Sequence, residues 1–424
     1  MKNIMEQQAN KNFFDQSSIH SGKINLFLNY ALIAFAFVLP FSRSGISIFI
    51  GIIPVLWIAE GRWKWKWQIL KKDKLFLAIC SFVGFQLLSL LWTDNYGKAV
   101  LSIKNYGHWI LVPIFLTSVQ SRFFIPAVRA FALGLVLLVF LALLNYFGII
   151  QIGQEGAANV FMHRLDFSMF LAWSIIFGLV YLRNNRELFR EKKPAKDLIL
   201  WAVLVVVSGI WIFVQDGRSG QLALLVALLF LVSLLFWKKH KIILILSLIF
   251  VIIFFDLQFR FNKTFQSRVL DIRYEIANVQ VENVYESSIG YRILTWRIAL
   301  DLIKNNPVAG YGIGDSMDAV KNVVDHWQDK PDRSPSRLPN MDVITNNHVH
   351  NQYLQILLET GLIGLMLFLS IFYFFYKGSP DKKMAVLLIV VFFTGFVAEP
   401  FMRNQFSSAL ISFFMAWIYS NRKR

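Results

Sequence analysis

The segment His348–Asn351 places two imidazoles and an amide where a polar loop meets a long apolar run. Titratable groups at such a boundary are unfavourable unless they have a partner or a function, so they are candidate functional residues. A neutral imidazole accepts a proton from a hydroxyl near pH 7. The N-terminal end of the helix that follows attracts anions through its free N–H groups. We therefore predict that His350 is a general base and that Asn351 orients its ring or a substrate.

His348 and His350 are also potential metal ligands. If the segment is helical, however, residues two positions apart point in different directions, and neither a cysteine nor a third histidine is close in sequence. The sequence therefore favours a site that has no metal and no other cofactor, with His348 in a supporting position.

One arginine lies in a turn where it could bind a phosphate. Arg218 lies in the turn 216–220, which joins two apolar runs with almost no loop. Its guanidinium is therefore held at the outer membrane–water interface, where it can make two parallel hydrogen bonds to a phosphate. A lipid headgroup or Asp216 is the alternative partner. A similar sequence, Ser42–Gly45, follows the first apolar run, and we attribute that similarity to chance.

Arg292 and Trp296 are four residues apart and share one helix face. We take Arg292 as a candidate functional residue with Trp296 in support, and we predict that Arg297 forms a surface ion pair with Asp301. Lys104 and His108 are expected to face the bundle interior. Other polar residues are as suited to headgroups as to substrate, with Arg164 taken as supporting: His163, Arg164, Asp166, Glu399 and Arg403.

The elements that position these residues are predicted to be membrane helices. Hydrophobic residues make up 56% of the chain and mean hydropathy is +0.52. A span needs about 20 mostly apolar residues. We predict an all-α polytopic membrane protein with about twelve transmembrane helices. Their ranges are 24–41, 46–60, 74–93, 100–118, 124–150, 165–182, 198–215, 219–237, 241–257, 350–376, 384–400 and 405–420.

The net charge of +17 is a topology signal. With both termini in the cytoplasm, the cytoplasmic segments hold 26 of the 43 basic residues against eight acidic ones, whereas the loop 258–347 holds eleven of each. The excess therefore lies on one side, as the positive-inside rule predicts. This distribution leaves little basis for a surface that binds nucleic acid.

Three regions follow from this pattern. Residues 1–257 form a membrane bundle of about nine spans, 258–349 form a periplasmic loop domain between spans nine and ten, and 350–424 contain about three further spans. Apolar residues at helical spacing predict a helix from Ser288 that stops at Pro307, and the preceding polar stretch is also expected to be helical. A turn-rich loop follows at 310–314.

Several enzyme classes find no support in the sequence. The chain has no phosphate-binding P-loop, no dinucleotide fingerprint after a strand, no paired-aspartate metal motif in the outer loop and no serine-hydrolase elbow. Nucleotide-sugar enzymes and ATP-driven pumps are therefore disfavoured.

In three signatures the chain resembles the O-antigen ligase and polymerase superfamily of bacterial inner-membrane proteins. The first is an arginine turn that opens a span, matched by Arg218-Ser219-Gly220. The second is an R-x-x-x-W helix followed by P-x-x-G-x-G-x-G, and the third is H-N-x-x-L-x-x-x-x-E-x-G-x-x-G. Their matching residues are Arg292, Trp296, Pro307, Gly310, Gly312, Gly314, His350, Asn351, Leu354, Glu359, Gly361 and Gly364.

The resemblance implies transfer of a glycan from undecaprenyl diphosphate to a sugar hydroxyl at the periplasmic face, a step in lipopolysaccharide biosynthesis. In ligases the acceptor is lipid A–core, and in polymerases it is another lipid-linked unit. By resemblance, Arg218 and Arg292 hold the diphosphate and His350 activates the acceptor hydroxyl. Ligase is the leading interpretation, with polymerase and transfer to protein hydroxyls as alternatives. A transporter of lipid-linked sugars is a further alternative, although paired broken helices are not visible in the sequence.

Overall fold

The computed structural model describes residues 22–152, 157–184, 196–215, 217–236, 263–281, 284–328 and 348–421, with scattered residues between 242 and 261. Within these residues the regular elements are helices, joined in places by short 3₁₀ turns, and no β-strand occurs. The helices are α1 Lys23–Val38, α2 Arg43–Ala59, α3 Trp63–Leu70, α4 Lys74–Leu88, α5 Tyr96–Tyr106, α6 Leu111–Ser118, α7 Phe124–Tyr146, α8 Arg164–Asn184, α9 Lys196–Val214, α10 Arg218–Phe236, α11 Lys263–Val281, α12 Ser288–Asn305, α13 Ser316–Gln328, α14 Gln352–Gly378, α15 Lys382–Phe396 and α16 Gln405–Ser420.

Seven helical segments in the described part of the chain are long and apolar enough to cross a membrane, and each coincides with a predicted span. They are Lys74–Trp92, Tyr96–Ser118, Ser121–Tyr146, Arg164–Asn184, Asp197–Val214, Arg218–Phe236 and Gln352–Gly378. The all-helical membrane class is confirmed, but the count of twelve is not. The predicted span 241–257 lies largely outside the described residues.

The remaining predicted spans correspond to shorter helices. α1, α15 and α16 have 16, 15 and 16 residues, less than a full bilayer crossing requires. α2 continues into α3 through a bend of 112°, and both Gly61 and Arg62 at the bend have positive φ. The pair counts as an eighth candidate span only if it is taken as one broken segment.

α16 is the centre of the bundle. Every residue from Phe406 to Tyr419 is buried, as expected of a helix that is apolar on all sides. Its Phe414 ring contacts the rings of Phe131, Trp173 and Phe177 from α7 and α8. α8 also packs against α9 and α10, and α10 packs against α15. This arrangement brings the starts of α8, α10 and α16 to the end of the bundle that holds His350.

The helices predicted in the long loop are present as α11 and α12, and α12 ends two residues before Pro307, as predicted. α13 was not predicted from the sequence. A separate cluster of buried apolar side chains joins α12 and α13 to Val349 and Leu358 around the start of α14. The described part of this region is therefore packed onto α14.

The glycine-rich loop 310–314 binds to α14 where that helix is broken. Gly361 has φ +63° inside the helix, so the carbonyls of Leu358 and Glu359 lose their helical partners. They accept hydrogen bonds from the N–H groups of Tyr311 (2.7 Å) and Gly312 (2.9 Å). A Cβ at residue 361 would overlap the Val308 carbonyl, so the close approach requires glycine. The second and third signatures therefore pair through their backbones.

The opposite end of the bundle is held by a buried ion pair. Lys66 on α3 is fully buried, and its Nζ lies 3.0 Å from Glu60 Oε2. The Glu60 carboxylate also accepts hydrogen bonds from Asn25 on α1 and Ser118 on α6. Two cation–π contacts, to Trp57 and Trp63, complete the surroundings of the lysine. The network links α1, α3 and α6 where α2 bends into α3.

Candidate active site

The two imidazoles converge on one carboxylate. His350 Nδ1 lies 2.7 Å from Glu399 Oε2, and His348 Nε2 lies 3.0 Å from Glu399 Oε1. The carboxylate is 5% exposed and lies in the connection between α15 and α16, past the end of α15. We use "imidazole pair" below for His348 and His350. Glu399 is the residue that joins them.

The segment 348–350 is not helical, so the expectation that the side chains of His348 and His350 diverge as on a helix is wrong. His350 adopts φ +48°, which is unfavourable for a residue with a side chain, and the two rings turn toward each other with centroids 4.4 Å apart. Uncommon backbone conformations of this kind persist where surrounding contacts enforce them. Here the enforcing contacts come from α12 and from the start of α14.

α12 holds the imidazole pair from one side. Trp296 Nε1 donates a 2.6 Å hydrogen bond to the Val349 carbonyl, and Tyr291 packs edge-on against the His350 ring at 5.6 Å. Trp296, for which a supporting role was predicted, thus holds the backbone between the two histidines through its indole. Tyr291 had no signal in the sequence beyond its place on that helix.

Asn351 caps α14. Its side-chain oxygen accepts hydrogen bonds from the N–H groups of Tyr353 (2.9 Å) and Leu354 (3.0 Å), and its Nδ2 donates to the Val397 carbonyl. These hydrogen bonds are to backbone groups and not to the His350 ring, and the expectation that Asn351 orients the ring or a substrate stays a prediction. Asn351 fixes the helix start and ties it to the end of α15, close to Glu399.

The hydrogen bonds determine what the imidazoles can do. An ionised Glu399 can accept a hydrogen from each ring, and when His350 donates from Nδ1 in its neutral form, Nε2 is the ring nitrogen left to accept a proton. Burial alone would raise the pKa of the Glu399 carboxyl, but hydrogen bonds and charge from the imidazole pair hold it at about 2. The carboxylate therefore stays ionised and orients Nε2 of His350 as a proton acceptor.

His348 has a different environment. Burial lowers its pKa, and its Nδ1 has no hydrogen-bond partner among the described residues. A neutral His348 donates its Nε2 hydrogen to Glu399 Oε1. The other oxygen, Oε2, remains to accept the hydrogen on His350 Nδ1. The ligand atoms of these three side chains lie within 4.8 Å of one another, so they also form a geometry that a zinc-like ion would accept.

A cavity of about 690 Å³ opens beside the imidazole pair, and we call it the histidine cavity. Its lining includes three cationic side chains, Arg43, Lys104 and Arg403, against two acidic ones, Asp166 and Glu399. The cavity thus brings together the start of α2, the start of α8 and the connection from α15 to α16, which are all predicted to lie on the outer side of the membrane. A cationic cavity beside a proton acceptor suits an anionic substrate.

Arg292, one of the predicted phosphate ligands, interacts electrostatically with the same carboxylate. Arg292 is partly buried, and burial lowers the pKa of its guanidinium; Glu399 opposes this shift, while Arg218 and Arg164 add to it. These charges therefore lie within electrostatic range of one another. Arg292 Nε is buried without a hydrogen-bond partner among the described residues. A buried guanidinium N–H without a partner is unfavourable, and an anionic ligand would satisfy it.

Arg218 and Arg164 are the first residues of α10 and α8, and both are exposed. α10 approaches α8 closely, because Gly220 N–H donates to Ser168 Oγ (3.2 Å) and any Cβ at residue 220 would overlap the Ser168 backbone. The glycine of the first signature thus allows the two helix starts, each with its arginine, to lie side by side. Asp216, the alternative partner of Arg218, lies outside the described residues.

Three expectations on other residues need correction or refinement. Lys104 is exposed and lines the histidine cavity, so it does not face the bundle interior. His108 is buried as predicted, and its Nδ1 lies 2.7 Å from the Asn105 carbonyl. Asp301 pairs with Lys304 at 2.9 Å, so the ion pair expected between Arg297 and Asp301 is not formed.

Two residues of the site were missed or undervalued in the sequence. Glu399 had no distinguishing signal apart from being an acid at the end of an apolar run. Arg43 lines the histidine cavity, and the similarity of 42–45 to the Arg218 turn was the signal that could have identified it. Arg403 also lines the cavity, held by Glu359 (3.2 Å) and Ser102 (2.8 Å).

Comparison with known proteins places the signatures in one domain. The family model described as O-antigen ligase matches residues 203–369, a range that contains all three signatures and ends within α14. No curated protein matches the chain. The apolar helices and this match support a membrane protein with a function of the O-antigen ligase or polymerase type. Residues 203–369 thus match the O-antigen ligase family model, and over this range the resemblance to the O-antigen ligase and polymerase superfamily is confirmed.

Proposed function

We propose that the protein is a glycosyltransferase of the ligase type that moves a glycan from a lipid diphosphate to a sugar hydroxyl. The observation that carries the proposal is the hydrogen bond from His350 Nδ1 to Glu399, which leaves His350 Nε2 free beside a cationic cavity. A base held in one tautomer by a carboxylate is the arrangement that activates hydroxyl nucleophiles in unrelated enzymes.

The reaction needs three events. His350 Nε2 takes the proton from the acceptor hydroxyl as the oxygen attacks the anomeric carbon of the donor sugar. The bond between that carbon and the diphosphate oxygen breaks, and its electron pair leaves with the lipid diphosphate. The imidazolium that forms is stabilised by Glu399, so the base needs no metal and no nucleotide.

Arg218 and Arg292, with Arg164 nearby, stabilise the leaving group. Negative charge grows on the diphosphate as the glycosidic bond breaks, and fixed cations aimed at developing charge lower the barrier. The partnerless Nε of Arg292 is the contact best placed to gain a hydrogen bond in that state. Arg43 and Lys104 add positive charge around the histidine cavity, whereas Arg403 is paired with Glu359.

The proposed donor is a glycan on undecaprenyl diphosphate, and the proposed acceptor is lipid A–core. The site then faces the periplasm of a bacterial inner membrane, with both termini in the cytoplasm, as the charge distribution predicts. Polymerisation, in which a second lipid-linked unit is the acceptor, is the alternative within the same chemistry.

Deletion of the gene, followed by gel analysis of cell-surface glycans, tests the function. A ligase deletion leaves lipid A–core without polymer while lipid-linked polymer accumulates, whereas a polymerase deletion leaves single repeat units attached. Complementation with His350→Ala is expected to fail although the protein inserts at normal levels. Normal surface glycan in the deletion strain would refute the function, and full complementation by His350→Ala would refute the assignment of the base.

A further inference from the structure

A second cavity, of about 1240 Å³, lies between the turn that joins α4 to α5 and the helices α12 and α13. We call it the aromatic cavity, because the rings of Trp92, Tyr96 and Tyr311 line it. None of the residues assigned above to the transfer chemistry lines it, so the proposed function leaves it without a role. It is larger than the histidine cavity.

The lining chemistry differs from that of the histidine cavity. Three carboxylates, Asp94, Asp315 and Asp318, line the aromatic cavity, and its described lining includes neither lysine nor arginine. A diphosphate or a lipid phosphate would be repelled by these acids, and Lys98 beside them is already paired with Asp318. Asn95, Asn306 and Asn322 also line the cavity.

Aromatic rings combined with carboxylates and amides suit a sugar. The C–H faces of a pyranose pack on indole and phenol rings, whereas its hydroxyls donate to carboxylates and exchange hydrogen bonds with amides. Small-molecule sites generally combine such apolar walls with a few fixed polar groups. Tyr96 is 60% exposed and Asp94 is also exposed, so both side chains are available to a ligand.

The walls are fixed by hydrogen bonds that cross from the α4–α5 turn to α13. Asp315 accepts from the backbone N–H groups of Asp94 (2.7 Å) and Asn95 (2.8 Å). Asp318 accepts from Asn95 Nδ2 (3.1 Å) and pairs with Lys98. Two of the three carboxylates thus hold the cavity in shape, and the Asp94 side chain remains for a ligand.

The two cavities are neighbours. On α5, Gly97 lines the aromatic cavity and Leu101 lines the histidine cavity. Four residues of helix rise by about 6 Å, so a single turn separates the two linings. A chain of linked sugars that has one end at His350 can therefore extend into the aromatic cavity.

We propose that the aromatic cavity binds an uncharged or amine-bearing glycan segment of a substrate while the histidine cavity holds the reacting end. This inference rests on the proposed function for the identity of the reaction, but the binding itself does not depend on transfer. The segment belongs either to the donor or to the acceptor, and both offer the same sugar chemistry to these side chains.

Equilibrium binding tests the site separately from catalysis. The probe is the water-soluble oligosaccharide released by mild acid from the cell's own lipid-linked donor, titrated calorimetrically into the full-length protein in detergent. We expect the wild type and His350→Ala to bind it equally. Tyr96→Ala is expected to weaken binding about tenfold, a loss typical of truncating an aromatic contact. Tyr274→Ala, on the similarly exposed Tyr274 of α11, is the matched control and is expected to bind as the wild type does.

Transfer kinetics identify which substrate uses the cavity. If Tyr96→Ala or Asp94→Asn raises KM for the donor, the segment belongs to the donor; if KM for the acceptor rises, it belongs to the acceptor. Either result supports the proposal when kcat is retained. Wild-type protein that fails to bind the oligosaccharide, or equal binding by Tyr96→Ala, overturns it and leaves the proposed function standing. Binding that depends on Tyr96 in a protein that transfers no glycan would refute the proposed function alone.

Discussion

Replacing Glu399 by glutamine removes the charge on which the proposed base depends while preserving the size of the side chain. His350 Nδ1 and Glu399 Oε2 are 2.7 Å apart, and both side chains are largely buried. At that distance an imidazolium and a carboxylate attract each other by about 3–6 kcal/mol, for an effective dielectric constant of roughly 20–40. This attraction matters most when His350 becomes positive, which is the step that activates the acceptor.

A glutamine carbonyl can still accept a hydrogen bond, which retains about 1 kcal/mol of the interaction. The net loss of about 2–5 kcal/mol in the transition state corresponds to a fall in kcat of roughly 30- to 4,000-fold. KM is expected to change little, because Glu399 acts through His350 and is not assigned to either substrate. Glu399→Asp keeps the charge at a greater distance and is expected to retain part of the rate.

The assay is initial-rate transfer from lipid-linked donor to acceptor in proteoliposomes at saturating substrate. Glu60→Gln is the matched control: it neutralises another buried, ion-paired glutamate, at the opposite end of the bundle, 3.0 Å from Lys66. We expect this control to lower the thermal midpoint but to keep kcat. A Glu399→Gln enzyme within about threefold of the wild-type kcat, less than 1 kcal/mol, would refute the electrostatic role. Equal damage by Glu60→Gln would refute its specificity.

Further expectations address the phosphate ligands, the broken helix, pH and metals. Arg292→Lys should lower transfer at least tenfold, about 1.4 kcal/mol, because an ammonium cannot make forked phosphate contacts, whereas Arg297→Lys on the exposed face of α12 should not. Gly361→Ala should lower the thermal midpoint and the yield of inserted protein, since φ is +63° and the added Cβ has no space. Burial lowers the pKa of His348 below its ordinary 6.5, so below that pH the unfolded chain binds a proton that the folded protein does not. The thermal midpoint should therefore fall as the pH drops below about 6.5. The His348→Gln variant should show a weaker dependence of the thermal midpoint on pH. Chelation with EDTA should leave transfer unchanged. Added Zn²⁺ should inhibit transfer, because the imidazole pair and Glu399 present three ligand atoms close together. Loss of activity with EDTA would instead indicate a required metal.

The helices and the position of the proposed base could be predicted from the sequence because both have local signals. Apolar spacing predicted α12 and its end near Pro307, and the change from polar loop to apolar run marked His350. Glu399 was not readable as its partner, since 49 residues separate them and only the packing of α14 against α15 brings them together. The convergence of the two rings was missed for a related reason: the left-handed backbone of His350 is enforced by tertiary contacts and contradicts local preference.

The spacing of the three signatures is explained largely by assembly. The glycine-rich loop pairs with the broken turn of α14, and Trp296 holds the backbone beside His350, so most signature residues position the proposed base without touching it. The base itself is completed from outside the matched domain, because Glu399 lies thirty residues beyond its end at 369. The C-terminal helices α15 and α16 are therefore part of the proposed machinery: they carry the carboxylate at one end of a packed core, and a domain cut after α14 would contain the histidine without the charge that orients it.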